Sequence, residues 1–141
     1  MSTPAATTAP VRSYRDLRVW KDAMDLAEET YRATEAFPHQ ERYGLVTQLR
    51  RAAVSVASNI AEGNARSTGD YLRHLLVSSG SLTEMETQLT LSDRLGFLPT
   101  EQAKLLLEKC DHVGRRLGGL RRSLRAHRAR PPSPESRTPS P

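Results

Sequence analysis

Apolar residues recur every third or fourth position along most of this chain, and no segment shows the strict alternation of a half-buried strand. Leu17, Trp20, Met24, Ala27 and Tyr31 give a first helical stripe, opened by Ser13 with Asp16 as a capping box and closed at Phe37-Pro38. This predicts a helix over about 15–36. A second helix is predicted from near Gln40 to Gly63, with Leu45, Leu49, Ala52, Val56 and Ile60 on its core face and Gly63-Asn64 as a left-handed stop. Its apolar arc is widened by Val54, Ala57 and Ala61 past half the circumference, so it needs more than one partner.

Ser67 with Asp70 opens a third helix over about 68–96, which carries two nearly opposite apolar faces. Tyr71, Leu75, Leu82 and Leu89 form one face; Val77, Leu91 and Leu95 form the other. Glu86 lies beside the first face and Glu84 within the second. Gly80, near the second, weakens a helix interior by roughly 1 kcal/mol relative to Ala, which the close approach of another backbone would offset. Gly96-Phe97-Leu98-Pro99 stops this helix. Thr100 as N-cap opens a fourth, over about 100–126, with Leu106, Cys110, Val113, Leu117, Leu120 and Leu124 in a near-heptad seam. Four helices joined by short turns predict an all-α, up-down-up-down antiparallel four-helix bundle over 13–126. Residues 1–12 and the Pro/Ser/Arg-rich tail at 127–141 have no helical period and are expected to be disordered.

Charge changes this picture through its location. The net +5 of the 141 residues divides into −2 over residues 1–111 and +7 over residues 112–141, where eight arginines face the single acid Glu135. The basic character therefore belongs to the last helix and tail. No apolar run approaches the roughly 20 residues that span a bilayer, and the single cysteine cannot form an internal disulfide. Both favour a cytoplasmic protein.

Candidate chemistry is sparse. A di-iron carboxylate bundle needs Glu-x-x-His on two helices, and none of the four histidines follows a glutamate at that spacing. A carboxylate-bundle metalloenzyme is the least favoured reading. Cys110 sits in an apolar seam, where thiols are inert, and neither GNARSTG nor LGGL has the spacing of a phosphate-binding loop. Gly114 and Gly118 read as close packing or local helix weakness. The expectation is a protein without enzymatic activity, cofactor or metal. Arg50 and Arg51 read either as phosphate contacts or, more simply, as ion-pair partners of Glu62, Glu84 or Glu86. Arg115 and Arg122 face one way, with Arg125 nearby and Arg116 and Arg121 elsewhere. These five are candidate contacts for RNA or DNA without sequence specificity, beside the plainer reading of a solvated face.

The segments QLRRAAVSVASNIAEG (48–63) and GSLTEMETQL (80–89), with YRDLRVWKDAMDLA at 14–27, resemble the bacterial four-helix-bundle proteins encoded in intervening sequences of 23S ribosomal RNA genes. The accessory variability protein of diversity-generating retroelements is a more distant relative. The resemblance spans about 14–125. It implies a homo-oligomer, a ring-like pentamer, and no known enzymatic activity. From the retroelement branch it implies a basic surface and an accessory role toward a reverse transcriptase. It also carries over a polar signature: Gln48, Arg50, Arg51, Ser55, Asn59, Glu62, Gly80, Ser81, Glu84, Glu86 and Gln88. On this reading the signature sets the register of helix contacts.

Overall fold

A computed structural model describes residues 13–129, and among them there are four α-helices and two short 3-10 turns. Helix α1 spans Arg18–Thr34, α2 Leu45–Asn64, α3 Thr68–Arg94 and α4 Thr100–Ala129. The 3-10 turns, Tyr14–Asp16 and His39–Glu41, occupy what the sequence pattern assigned to the first turns of the first two helices. Ser13 caps only the first of these, its Oγ accepting from Arg15 N at 3.0 Å. Ser67 does cap α3, accepting from Asp70 N at 3.3 Å.

Each helix packs on its neighbours in the chain, and α1 also packs on α4; the two diagonal pairs stay out of contact. Interhelical contacts set the directions. Asn59 meets His74 while Ser55 meets Ser81, so α3 runs antiparallel to α2. Glu29 meets Lys109 while Asp22 meets Arg116, which makes α4 antiparallel to α1. Across α3 and α4, Asp93 meets Thr100 while Gly69 lies under Arg128. The bundle is up-down-up-down, as the short connections predict.

The core follows the expected stripes on three helices. Leu49, Ala52, Val56 and Ile60 of α2, Tyr71, Leu75, Leu82 and Leu89 of α3, and Leu106, Cys110, Val113 and Leu117 of α4 are buried. Leu45, Leu120 and Leu124 are partly buried against them. Helix α1 follows its expected stripe only in part: Ala27 is buried and Leu17 and Trp20 pack partly buried against the core, but Met24 and Tyr31 are exposed and Val19, Ala23, Leu26, Thr30 and Ala33 face inward. Both stripes have helical spacing, and the smaller one wins because closely spaced helices leave little room at the centre. Thr30 and Thr34 are compatible with burial because their hydroxyls donate to the carbonyls of Leu26 and Thr30, at 2.7 and 2.8 Å.

The connections have distinct chemistry. Gly96, with φ 76°, ends α3 in a Schellman motif: Phe97 N donates to Ser92 O and Gly96 N to Asp93 O. Phe97 then meets Phe37 from the α1–α2 connection, with ring centroids 6.0 Å apart, so two connections close one pole of the bundle together. Gly63 is not the left-handed stop expected of it. Helix α2 passes through it to Asn64, and the backbone leaves at Ala65 with negative φ. Thr100 is the first residue of α4 rather than its cap, and its hydroxyl reaches back to Asp93 Oδ1 at 2.8 Å. Helix α4 continues through His127–Ala129, three residues beyond the predicted end. The disorder expected of 1–12 and 130–141 concerns residues outside those described.

Candidate functional site

The most extensive helix contact is between α2 and α3, and it is built from small and polar residues. Gly63 permits it at one end, where an added Cβ would lie 2.7 Å from His74 Cβ. A polar network then follows the seam. Asn59 Nδ2 donates to the Ser55 carbonyl at 2.9 Å and approaches Ser55 Oγ at 3.2 Å. A carbonyl can only accept, so this bond orients the amide and turns Asn59 Oδ1 toward His74 Nδ1, 3.0 Å away. His74 therefore carries a proton on Nδ1. Ser81 Oγ donates to Ser55 Oγ at 2.8 Å, and buried Ser78 donates to the Val56 carbonyl at 2.8 Å. Ser55, Asn59 and Ser81 of the polar signature thus meet in one interface inside the subunit. His74, Ser78 and Gly63 belong with them: Gly63 was marked only as a helix stop, and a histidine and a serine on a helix read as surface until the partner helix is in place.

The charged members of the signature behave differently. Arg50 lies over the Tyr31 ring at 4.5 Å, with Nε donating to Thr34 Oγ1 (3.0 Å) and Nη2 to the Tyr31 carbonyl (3.2 Å). Its partners are on α1, not the carboxylates expected of it. Glu62 pairs with Arg66, in the turn just beyond the end of α2. Arg51 and Glu84 are exposed and make no ion pair or hydrogen bond among the described residues. Glu86 is half-buried and its charge adds to burial in raising the Cys110 thiol to about 12, so Cys110 stays protonated at neutral pH. Gln48 is exposed, and Gln88 Oε1 is buried with no hydrogen-bond partner among the described residues. Gly80 is exposed, and an added Cβ there would meet nothing within 4 Å. Among the described residues no neighbouring backbone explains it.

Two further features surround this seam. Tyr31, Arg50, Arg51, Val54, Ser55 and Ser58 line an open groove of about 590 Å³ along the outside of α2. On α4, the five candidate arginines do not share one environment. Arg115 pairs with Asp111 at 2.9 Å and Arg116 Nε with Asp22 at 2.8 Å, while Arg121 Nε is buried without a partner. Arg122 folds back along its own helix over Gly118 and Gly119, and Arg125 is exposed. Arg128 reaches the start of α3, its guanidinium 3.5 Å from the position of a Gly69 Cβ. That brings the α4 arginines to the same pole as Arg66 and Arg73. Among the described residues, no group of three or more His, Cys, Asp or Glu is placed to hold a metal ion. No described helix is long and apolar enough to cross a membrane.

A small four-helix bundle whose second and third helices are joined by a hydrogen-bonded polar seam defines the class. The chain belongs to the 23S rRNA-intervening sequence protein family, whose sequence profile matches residues 15–119. The fold is similar to that of a protein of unknown function from the S23 ribosomal protein family of Bacteroides thetaiotaomicron. The TM-score is 0.69 at 18% identity, covering 74% of this chain and 95% of that one. A search of curated proteins finds no match. Neither the family nor the similar structure is named for a catalytic activity.

Proposed function

We propose that this is a non-enzymatic assembly protein that works as a cytoplasmic homo-oligomer, with a pentameric ring as its expected form. One observation carries the reading: after the four-helix core is complete, Met24, Tyr31, Val54, Val77, Leu91 and Leu95 remain 42–52% exposed on the outer faces of α1, α2 and α3. Large apolar side chains grouped on neighbouring helix faces, rather than scattered singly, mark an interaction surface. The second apolar face of α3 is among them, and it has no use inside one subunit. Light scattering at micromolar concentration tests the proposal, with an expected mass of about five times the 15.7 kDa chain. A monomer would overturn it.

A second reading is supported by the pole where α4 ends: Arg128 reaches the start of α3 near Arg66 and Arg73, which pair with Glu62 and Asp70, and the exposed Arg122 and Arg125 lie on the last turns of α4. Such a surface suits the phosphates of RNA or DNA without reading bases. Binding of an arbitrary RNA should fall steeply between 50 and 200 mM salt, by about 10-fold or more if several phosphates are contacted. It should weaken further in Arg122→Glu/Arg125→Glu. Binding that ignores salt and these substitutions would remove the reading.

A further inference from the structure

We infer that the assembly uses two different surfaces: the groove outside α2 of one copy receives the outer face of α3 of the next. The inference rests on the assembly reading above and names its contact. The α2 groove is concave, and Arg50 and Arg51 contribute its charge. Arg50 is held against Tyr31 and Thr34, so the wall is ordered before any partner arrives. Arg51 has no counter-charge among the described residues and lies on the groove beside the exposed Val54. The α3 face has the opposite character. Val77, Glu84 and Leu91 recur at seven-residue spacing, which places an exposed carboxylate between two exposed apolar side chains.

Like surfaces do not match like here. Groove against groove brings arginines together, and stripe against stripe brings Glu84 to its own copy; both are penalised as the contact dries. Groove against stripe pairs Arg51 with Glu84 and covers Val54, Val77 and Leu91 together. Gly80 fits this arrangement, because the missing side chain between Val77 and Glu84 lets another helix come close. When the two unlike patches of one copy are engaged by two different neighbours the contact is heterologous, which closes into a ring where the rotation between copies allows and uses both patches on every copy.

The test uses the full chain and complementary defects. Val54→Glu damages only the groove and Val77→Glu only the stripe, and each variant alone is expected to be monomeric, with a dissociation constant raised about a hundredfold or more. Mixed at equal concentration, they retain one intact groove and one intact stripe and are expected to form a 1:1 heterodimer by analytical ultracentrifugation. Arg51→Glu and Glu84→Arg provide a second pair on solvent-exposed positions: each should dissociate the oligomer, and the double variant in one chain should restore it. A monomeric wild type overturns the assembly reading and this contact with it. An oligomeric wild type whose Val54→Glu and Val77→Glu forms stay monomeric on mixing shows a symmetric contact and overturns only the pairing, as do charge reversals that leave the oligomer intact.

Discussion

An added Cβ at Gly63 would meet both His74 Cβ and the Tyr71 ring, at 2.7 and 3.0 Å, and the His74 Cβ cannot move away without moving α3. Gly63→Ala is therefore expected to destabilise the fold by about 1–3 kcal/mol in urea denaturation. Asn59 sits at the middle of the same seam. Asn59→Ala removes the acceptor for His74 Nδ1–H and the donor to Ser55, with an expected loss of about 1–3 kcal/mol. Tyr71 gives the opposite case, because its hydroxyl is buried with no hydrogen-bond partner among the described residues. Tyr71→Phe deletes an unpaired polar group while keeping the ring, so its melting temperature should match or exceed that of wild type. Ser55, Asn59 and Ser81 could be picked out in the sequence as polar residues beside a core stripe. That they bond to one another, and that His74 completes the set, depends on which turn of α3 lies opposite which turn of α2.

The helices differ in how much their own patterns determine. Helix α3 shows two apolar faces in its sequence, and the bundle buries one and exposes the other. Helix α1 also carries two stripes, and of the expected one Ala27, Leu17 and Trp20 reach the core while the large Met24 and Tyr31 do not. Size is a poor guide where helices pack closely, and alanines and internally bonded threonines fill the centre instead. In α4, glycine has two meanings. Gly114 has Leu82 Cδ2 3.3 Å from an added Cβ, whereas Gly119 has only the flexible end of Arg122 at 3.9 Å. Gly119→Ala should raise helix stability by about 0.5–1 kcal/mol, visible as a higher midpoint in thermal denaturation, with no such gain from Gly114→Ala.

Stability of the whole molecule should be sensitive to alkali. Burial, with a smaller contribution from the Glu86 charge, raises Cys110 from 9.0 to about 12, and burial raises Tyr71 from 10.0 to about 12. Above pH 9 the unfolded chain loses protons that the folded chain keeps, so the folded state binds more protons and stability falls as pH rises. The contribution is fully present below about 9 and is lost on the way to about 12. Melting curves across this range should show the decline, and Cys110→Ala with Tyr71→Phe should flatten it relative to wild type. The charge pattern is also a property of the assembled bundle. The sequence locates eight arginines after residue 111. The antiparallel packing then places Arg66 and Arg73 beside the end of α4 and draws Arg116 away to Asp22.

Helical period, the four-helix count, the apolar stripes of α2, α3 and α4 and the stop at Gly96 were all determined by local sequence, because each depends on spacing within a few turns or on one backbone conformation. The tertiary structure decided which face of α1 is core, which glycine is needed for close packing, and where Arg50 finds its partners. Those outcomes depend on the distance and register between helices, and a residue carries no mark of what will lie across from it. Arg51 and Glu84 show the same limit one level higher: no described residue of the subunit pairs with either, and the proposed contact would pair each with the other in a neighbouring copy.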